Sequence, residues 1–303
     1  MNMLAWSGFV AAAVRVGTPL GLAALGETIA ERSGVINLGI EGAMLAGALA
    51  SAAVASSADL AAGVMAGVLA GAAVAAIFAL VAVVARTDQI IAGTAVTLAA
   101  TGLTGVLAQR IWGTAGAGLS VPTLAPVPLG ALAHIPVIGA ALFDQSLLTY
   151  LLYLLFPIAS VLLFRTALGL QLRACGESPS SAAAAGVPVT AMRSAATVVG
   201  GMLAGLAGAS LVLAQVGTFT ERMTAGRGFI AIAIVALGRW EPWRVGIATL
   251  LFGAATAMQF VFQATATGIP YQLFLALPYL LALGVLGSAV GRRRGPAALG
   301  VAP

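Results

Sequence analysis

The sequence predicts an all-α, polytopic integral membrane protein with about 8–9 transmembrane helices, some of them broken or re-entrant. Two observations carry this. Hydrophobic residues occupy 61% of the 303 positions and the mean hydropathy is +1.07, well above the ~45–50% apolar share of soluble domains. Apolar runs near the ~20 residues that cross a hydrocarbon layer recur along the chain, and each must be helical because lipid gives free backbone groups no partner.

The runs fall at 4–25, 38–57, 60–85, 89–109, 146–165, 192–215, 228–238, 245–264 and 271–290, making one transmembrane domain over 1–303. The seventh is too short to span and is bounded by glycine, so it reads as a half-helix or re-entrant piece set against protein or a cavity. The stretch 110–145 holds Pro122, Pro126, Pro128 and Pro136, which rule out a long helix there, and is expected to be an external loop, as a cap, docking surface or passive linker. No basic leader precedes the first apolar run, so the first helix is expected to be retained.

Orientation follows arginine, because all 14 basic residues are Arg and short cytoplasmic loops collect them. With the C-terminus inside, Arg292, Arg293, Arg294, Arg239, Arg244, Arg165, Arg173, Arg193, Arg86 and Arg32 are cytoplasmic. Arg110, Arg222 and Arg227 are external, and Arg15 stays inside the first span. This parity puts the N-terminus outside; if the seventh segment does not cross, the parity fails for everything before it and both termini can lie in the cytosol.

Composition excludes several functions. The pI near 10.3 comes from arginines at helix ends and not from a basic patch interleaved with aromatics, so no nucleic-acid partner is expected. With one cysteine, Cys175, and one histidine, His134, no disulfide framework or thiol–imidazole metal set can form. The chain has no G-x-x-x-x-G-K-[ST] and no lysine at all, so it cannot build a P-loop. It is expected to bind no cofactor and to be no enzyme, since no paired acids or nucleophile with a base stand out.

Charge is scarce, at 8% of residues, yet Glu27, Glu31, Arg32 and Glu41 cluster in GETIAERSGVINLGIEG, Gly26 to Gly42. Glu27 and Glu31 are four apart on one helix face near the cytosol and point to assembly or gating. Gly34, Gly39 and Gly42 permit a helix break around Asn37, with Glu41 one turn away. An intramembrane carboxylate is a functional candidate by default; the alternative is that Glu41 pairs with an arginine to lock helices. Asp88 is placed to cap the fourth span beside Gln89. The Gly63, Gly67, Gly71 series lies on one face and fits either helix packing or a subunit interface.

The segment 166–191, TALGLQLRACGESPSSAAAAGVPVTA, carries a short helix of its own: Ser178 can cap it, Pro179 occupies its first turn and Gly186 stops it. Such a helix on a cytoplasmic loop suits docking of a partner protein.

Four stretches, GETIAERSGVINLGIEG, then DQIIAGTAVTL from Asp88, RACGESPSSAAAAGV from Arg173 and MTAGRGFIAIAIVALGRW from Met223, occur in a telling order and spacing. In these the chain resembles the permease subunits of ATP-binding cassette importers for nucleosides and simple sugars, within the wider branched-chain amino acid and ribose permease group. The resemblance covers about residues 15–290. It implies that 166–191 is the cytoplasmic coupling loop, seated in a cleft of a cytosolic ATPase that binds ATP and Mg, with Arg173, Gly176, Glu177, Pro179, Ala182, Ala183 and Gly186 at the matching positions. The family commonly has Asn where this chain has Ser178, and either residue can cap. Its usual Asn in the fourth span is Thr97 here.

The resemblance also implies a second homologous permease, as a heterodimer or failing that a homodimer. An external or periplasmic substrate-binding protein, a lipid environment and a multi-pass place in the bacterial cytoplasmic (inner) membrane complete the expectation. The path residues are expected to be Asn37, Glu41, Gln89, Thr97, Gly226, Gly228 and Phe229. Backbone N–H groups at the start of the seventh segment would meet a ligand, and Phe229 would stack on a base or serve packing. The runner-up function is a secondary transporter or channel for small polar solutes, for which Glu41 and Arg15 are the only intramembrane charges available.

Overall fold

The computed structural model of the chain describes residues 3–113, 120–135, 138–264, 271–289 and 295–301. Among them the helices are α1 (Met3–Arg32), α2 (Ile40–Ala55), α3 (Leu60–Ala79), α4 (Gln89–Trp112), α5 (Ile138–Leu142), α6 (Leu147–Arg165), α7 (Ala167–Glu177), α8 (Pro179–Ala184), α9 (Val189–Leu211), α10 (Arg227–Leu237), α11 (Pro242–Ala264) and α12 (Tyr271–Ala289). The expectation of an all-α membrane bundle is met. The segments Trp6–Arg32, Leu60–Val84, Gln89–Trp112, Leu147–Arg165 and Val189–Val216 are long and apolar enough to cross a bilayer, while α2 and α10 are apolar but shorter. Helices α11 and α12, of 23 and 19 residues, are of similar length to the spanning ones.

The first helix runs further than the hydropathy pattern predicts. It continues from the expected end at 25 to Arg32, taking Glu27 and Glu31 inside the helix as buried residues. Burial is tolerable because partners from other elements meet one oxygen of each carboxylate. At their far ends α3 and α9 widen into single π-type turns, Leu80–Val84 and Val212–Val216, closed by Ala85 N–H to Leu80 O (2.9 Å) and Gly217 N–H to Val212 O (2.8 Å).

Among the described residues, the stretch predicted to lack a long helix forms short pieces after the end of α4. Strand β1 (Val127–Pro128) pairs antiparallel with β2 (Asp144–Gln145), a 3-10 turn covers Gly130–His134, and α5 follows. Pro136 lies outside the described residues. This stretch is tied to the end of α9 by Val121 N–H to Gly217 O (2.9 Å) and Leu124 N–H to Leu213 O (2.7 Å).

Helix α9 is the frame. Its stripe of small residues lets α1, α2 and α3 approach backbone to backbone: a Cβ on Gly200 would come 2.9 Å from Gly26 O, one on Gly205 2.9 Å from Gly71 Cα, and one on Gly208 2.7 Å from Ala48 N. This settles the Gly63, Gly67, Gly71 series as intrachain packing and not a subunit interface. A Cβ on Gly63 would meet Ala55, one on Gly67 would meet Ala209, and one on Gly71 would meet Gly205. Without a hydrophobic force between helices in lipid, such close van der Waals packing supplies the cohesion. Around the stripe, Leu20, Ile40, Met44, Leu211, Ile234 and Phe252 join α1, α2, α9, α10 and α11 in one core. On the outer surface α4 turns Ile91 and Leu98 outward.

The arginines segregate. Arg32, Arg86, Arg165, Arg173, Arg193, Arg239 and Arg244 gather at one end of the bundle, around the ends of α1, α3, α6 and α7. Arg110 and Arg222 flank the opposite end, where Gln109 Nε2 donates to Glu221 Oε1 (3.1 Å). Arg227 lies deeper than expected, at the start of α10 beside Glu41. Arg292, Arg293 and Arg294 lie outside the described residues.

A substitution that places a branched side chain on the α9 stripe should be costly: Gly208→Val is expected to destabilise by about 1–3 kcal/mol or more through overpacking against α2. Gly102→Ala, on a residue with nothing within 4 Å of its Cβ position, should leave stability unchanged or raise it. Thermal unfolding of the two variants in the same detergent reads the difference.

Candidate functional site

Between α1 and α2 the chain leaves the helix at 33–39 while most of these residues stay buried. Buried backbone groups require partners, and side chains from α1 and α4, with one from the break itself, supply them. Ile36 N–H donates to Gln89 Oε1 (2.8 Å), Asn37 N–H to Glu27 Oε1 (2.8 Å) and Gly39 N–H to Asn37 Oδ1 (3.0 Å), while Thr97 Oγ1 donates to Leu38 O (2.9 Å). Three of the expected path residues, Asn37, Gln89 and Thr97, therefore meet at the break and hold its main chain. Asn37 Nδ2, Gln89 Nε2 and Glu27 Oε2 remain buried there without a hydrogen-bond partner. The helix α4 comes close enough for this because Gly93 faces Leu38: a Cβ on Gly93 would lie 2.6 Å from Leu38 Cβ.

Four residues after Asn37, Glu41 opens α2 and its carboxylate is fully engaged. Oε1 accepts from Thr224 Oγ1 (2.6 Å) and Gly226 N–H (2.8 Å), and Oε2 accepts from Gly228 N–H (2.7 Å). Glu41 does not pair with an arginine; among the described residues the only ion pair joins Arg244 to Glu241 (2.8 Å). The sequence led one to expect that the amides of Gly226 and Gly228 would meet a ligand; instead both donate to Glu41. They begin α10, which has no side-chain cap of its own, and a carboxylate from a neighbouring helix satisfies these orphan donors and complements the positive end of the helix dipole. Glycine is needed at both positions: Gly226 has φ +78°, and a Cβ on Gly228 would lie 2.8 Å from Glu41 Cα.

Helix α10 has 11 residues, about 16 Å at ~1.5 Å per residue, half a membrane. It starts on Glu41 and ends at Leu237, and in the turn that follows Trp240 Nε1 donates to Glu31 Oε2 and the Trp240 carbonyl accepts from Arg32 Nε (2.8 Å). The irregular residues 217–226 bring the chain inward to its start, so 217–237 runs from the end of α9 to the end of α1. Phe229, in the first turn of α10, is 42% exposed, while Tyr279 OH donates to Ala225 O (2.5 Å).

The segment 166–191 folds as two helices where one was expected. Thr166 caps α7 through Gly169 N–H (3.1 Å), and Ser178 caps α8 through Ser181 N–H (3.4 Å), with Pro179 in the first turn. Gly186, at φ +82°, closes α8: Gly186 N–H donates to Ala183 O (2.9 Å) and Val187 N–H to Ala182 O (3.0 Å), the paired bonds of a Schellman ending. Glu177, Ala183 and Gly186 are exposed, Arg173 and Pro179 half-buried, and Gly176 and Ala182 buried. Between α7 and α8 lies an open concavity of about 400 Å³, apolar but for Gln171, Glu177, Ser178 and Ser181. Behind it, burial pushes the Cys175 thiol pKa up, with the Arg193 guanidinium opposing. Arg173 and Arg32 both lie over the Phe164 ring, at 5.0 and 5.1 Å, a cation–π pair that joins α7 to the end of α1.

Sequence reasoning missed Thr224, Trp240 and the role of Glu27 as a backbone acceptor. Trp240 closes the last of the four quoted stretches and meets Glu31 and Arg32 of the first, 209 and 208 positions away, which leaves no local signal; Glu27, also in the first, meets the main chain of Asn37. Removing the acceptor at Glu41 should expose two helix-start amides: Glu41→Ala is expected to cost at least about 3 kcal/mol, and Glu41→Gln, which keeps one oxygen, about half of that. Thermal unfolding in detergent checks the order, with Thr224→Val expected to be the mildest of the three.

Residues 9–286 match the family described as branched-chain amino acid transport system / permease component. The chain is 32% identical over 293 residues to the guanosine ABC transporter permease protein NupQ of Bacillus subtilis, covering 93% of this chain and 92% of that protein. It is 33% identical over 295 residues to the nucleoside ABC transporter permease protein NupC of Lactococcus lactis, covering 94% and 92%. TsgC13 of Haloferax volcanii, named for a glucose ABC transporter as its permease protein, is 36% identical over 305 residues, covering 94% and 92%. No solved structure matches the chain. With its apolar spanning helices and broken interior, the chain belongs to this family of permease components and is a multi-pass transport subunit of the cytoplasmic membrane.

Proposed function

We propose that this chain forms one half of the membrane path of an ATP-binding cassette importer for nucleosides or related simple sugars. The observation that carries the reading is the polar break at 33–39, where Asn37 Nδ2, Gln89 Nε2 and Glu27 Oε2 lie together, buried and without a hydrogen-bond partner. Donors and an acceptor at an interrupted helix suit the hydroxyls of a polar solute. The names of NupQ, NupC and TsgC13 bring nucleosides and glucose, which share a sugar ring, into consideration.

A cytosolic ATPase carrying ATP and Mg supplies the energy, because this chain has no lysine and no P-loop. Its docking surface is the 166–191 loop, with Glu177, Ala183 and Gly186 turned outward around the concavity between α7 and α8. A second homologous permease supplies the other half of the path, in a heterodimer, and an external binding protein delivers solute at the end bearing Arg110, Arg222 and the 110–145 loop. Transport then proceeds by alternating access, with the interrupted helices as the bistable elements.

The test is uptake of radiolabelled nucleoside into proteoliposomes holding the whole transporter, with ATP on the ATPase side. Import is expected to require ATP and the binding protein and to be competed by other nucleosides. Import that runs without the ATPase would overturn the reading. Glu177→Arg should lower import per ATP hydrolysed by about tenfold, the loss of ~1.4 kcal/mol of docking, with the chain still in the membrane; wild-type uptake by that variant would remove the loop from coupling.

A further inference from the structure

The segment 295–301 does not lie free beyond the last helix but is woven into the site. Ala298 N–H donates to Gly176 O (2.9 Å) at the end of α7, and Gly300 N–H donates to Gly34 O (3.1 Å) in the helix break. Gly295 sits against the Trp240 ring, where a Cβ would lie 2.8 Å from it, and Ala297 N–H reaches Glu177 Oε2 (3.3 Å). One short stretch of chain thus touches α7, the break and the turn after α10.

At the centre stands Arg193, near the start of α9 and without solvent exposure. Nε donates to Ser33 O (3.0 Å), Nη1 to Val301 O (2.7 Å) and Nη2 to Cys175 O (3.1 Å). Two of these carbonyls belong to the ends of α1 and α7, where helix carbonyls lack partners and the dipole is negative. The planar guanidinium fork suits this geometry, because three donors on one rigid group fix three segments of chain at once. Gly34, at φ +95°, leaves the space: a Cβ there would lie 2.6 Å from Arg193 Nη2. No acidic residue is hydrogen-bonded to this guanidinium among the described residues, so carbonyls alone hold the charge.

We propose that Arg193 and segment 295–301 form a strut that carries displacement of α7 to the helix break around Asn37. The proposal rests on the reading of 166–191 as the ATPase-coupling loop. Arg193 is a positioning residue in this scheme: it touches neither solute nor ATPase and acts by keeping Cys175 and Gly176 in step with Ser33 and Gly34.

The experiment uses the complete transporter in proteoliposomes and reads nucleoside imported per ATP hydrolysed. A fraction of unfolded transporter lowers import and stimulated hydrolysis together and leaves this ratio unchanged, so the ratio separates coupling from stability. Arg193→Gln and, should that variant fail to assemble, a chain ending at Arg294 are both expected to hydrolyse ATP while the ratio falls at least about fivefold, the lower end of typical coupling free energies. A wild-type ratio in the shortened chain would overturn the strut while leaving the importer reading intact. Absence of ATP-driven import in the wild-type complex would instead overturn that reading, and the strut with it.

Discussion

Glu41 illustrates the constraint on which the rest depends: inside a membrane, every interruption of a helix leaves backbone groups that only the protein can satisfy. Its two carboxylate oxygens take the hydroxyl of Thr224 and the amides of Gly226 and Gly228, which lets a helix begin at membrane depth. The break at 33–39 is met in the same way by Glu27, Gln89, Asn37 and Thr97, and the turn after α10 by Arg32, which donates to the Trp240 carbonyl while Glu31 holds the Trp240 indole N–H. The few charges of the chain are therefore concentrated where the main chain departs from helix, and this explains the cluster in Gly26 to Gly42.

These polar clamps would have no fixed geometry without the frame behind them. The glycine and alanine stripe on α9 brings α1, α2 and α3 to backbone contact, setting the position of Glu27 on one helix and Glu41 on another. The α7 end is brought equally close: a side chain at Gly176 would run into the carbonyl of Arg32. Packing thus places the candidate coupling surface and the break against each other, with Arg193 spanning the junction.

Much of the fold was legible because it depends on local pattern. Except at the end of α1, which runs on from 25 to Arg32, apolar runs place the spanning helices to within a few residues, the short seventh run reappears as the half-helix α10, and Ser178, Pro179 and Gly186 bound α8 as their cap and stop chemistry requires. Asp88 caps α4 through Ile90 and Ile91 N–H. What could not be read depends on contacts between distant residues. Thr224 and the amides that Glu41 holds lie more than 180 residues away, so whether its carboxylate met a solute, an arginine or a helix start was beyond any local pattern. The glycines of α3 looked equally suited to a partner subunit, because a small-residue face does not encode which helix covers it. Helix α7 escaped notice because the Gly-containing stretch before Cys175 carries no strong start signal beyond Thr166.

On the proposed function this chain is a dependent subunit, a scaffold for a polar path powered by a partner. The most direct test is to extract the tagged chain from its native membrane in mild detergent and identify by mass what remains bound. A stoichiometric cytosolic ATPase bearing a P-loop is expected, together with a second permease chain. A folded, monodisperse chain recovered alone, and transporting solute by itself, would contradict it.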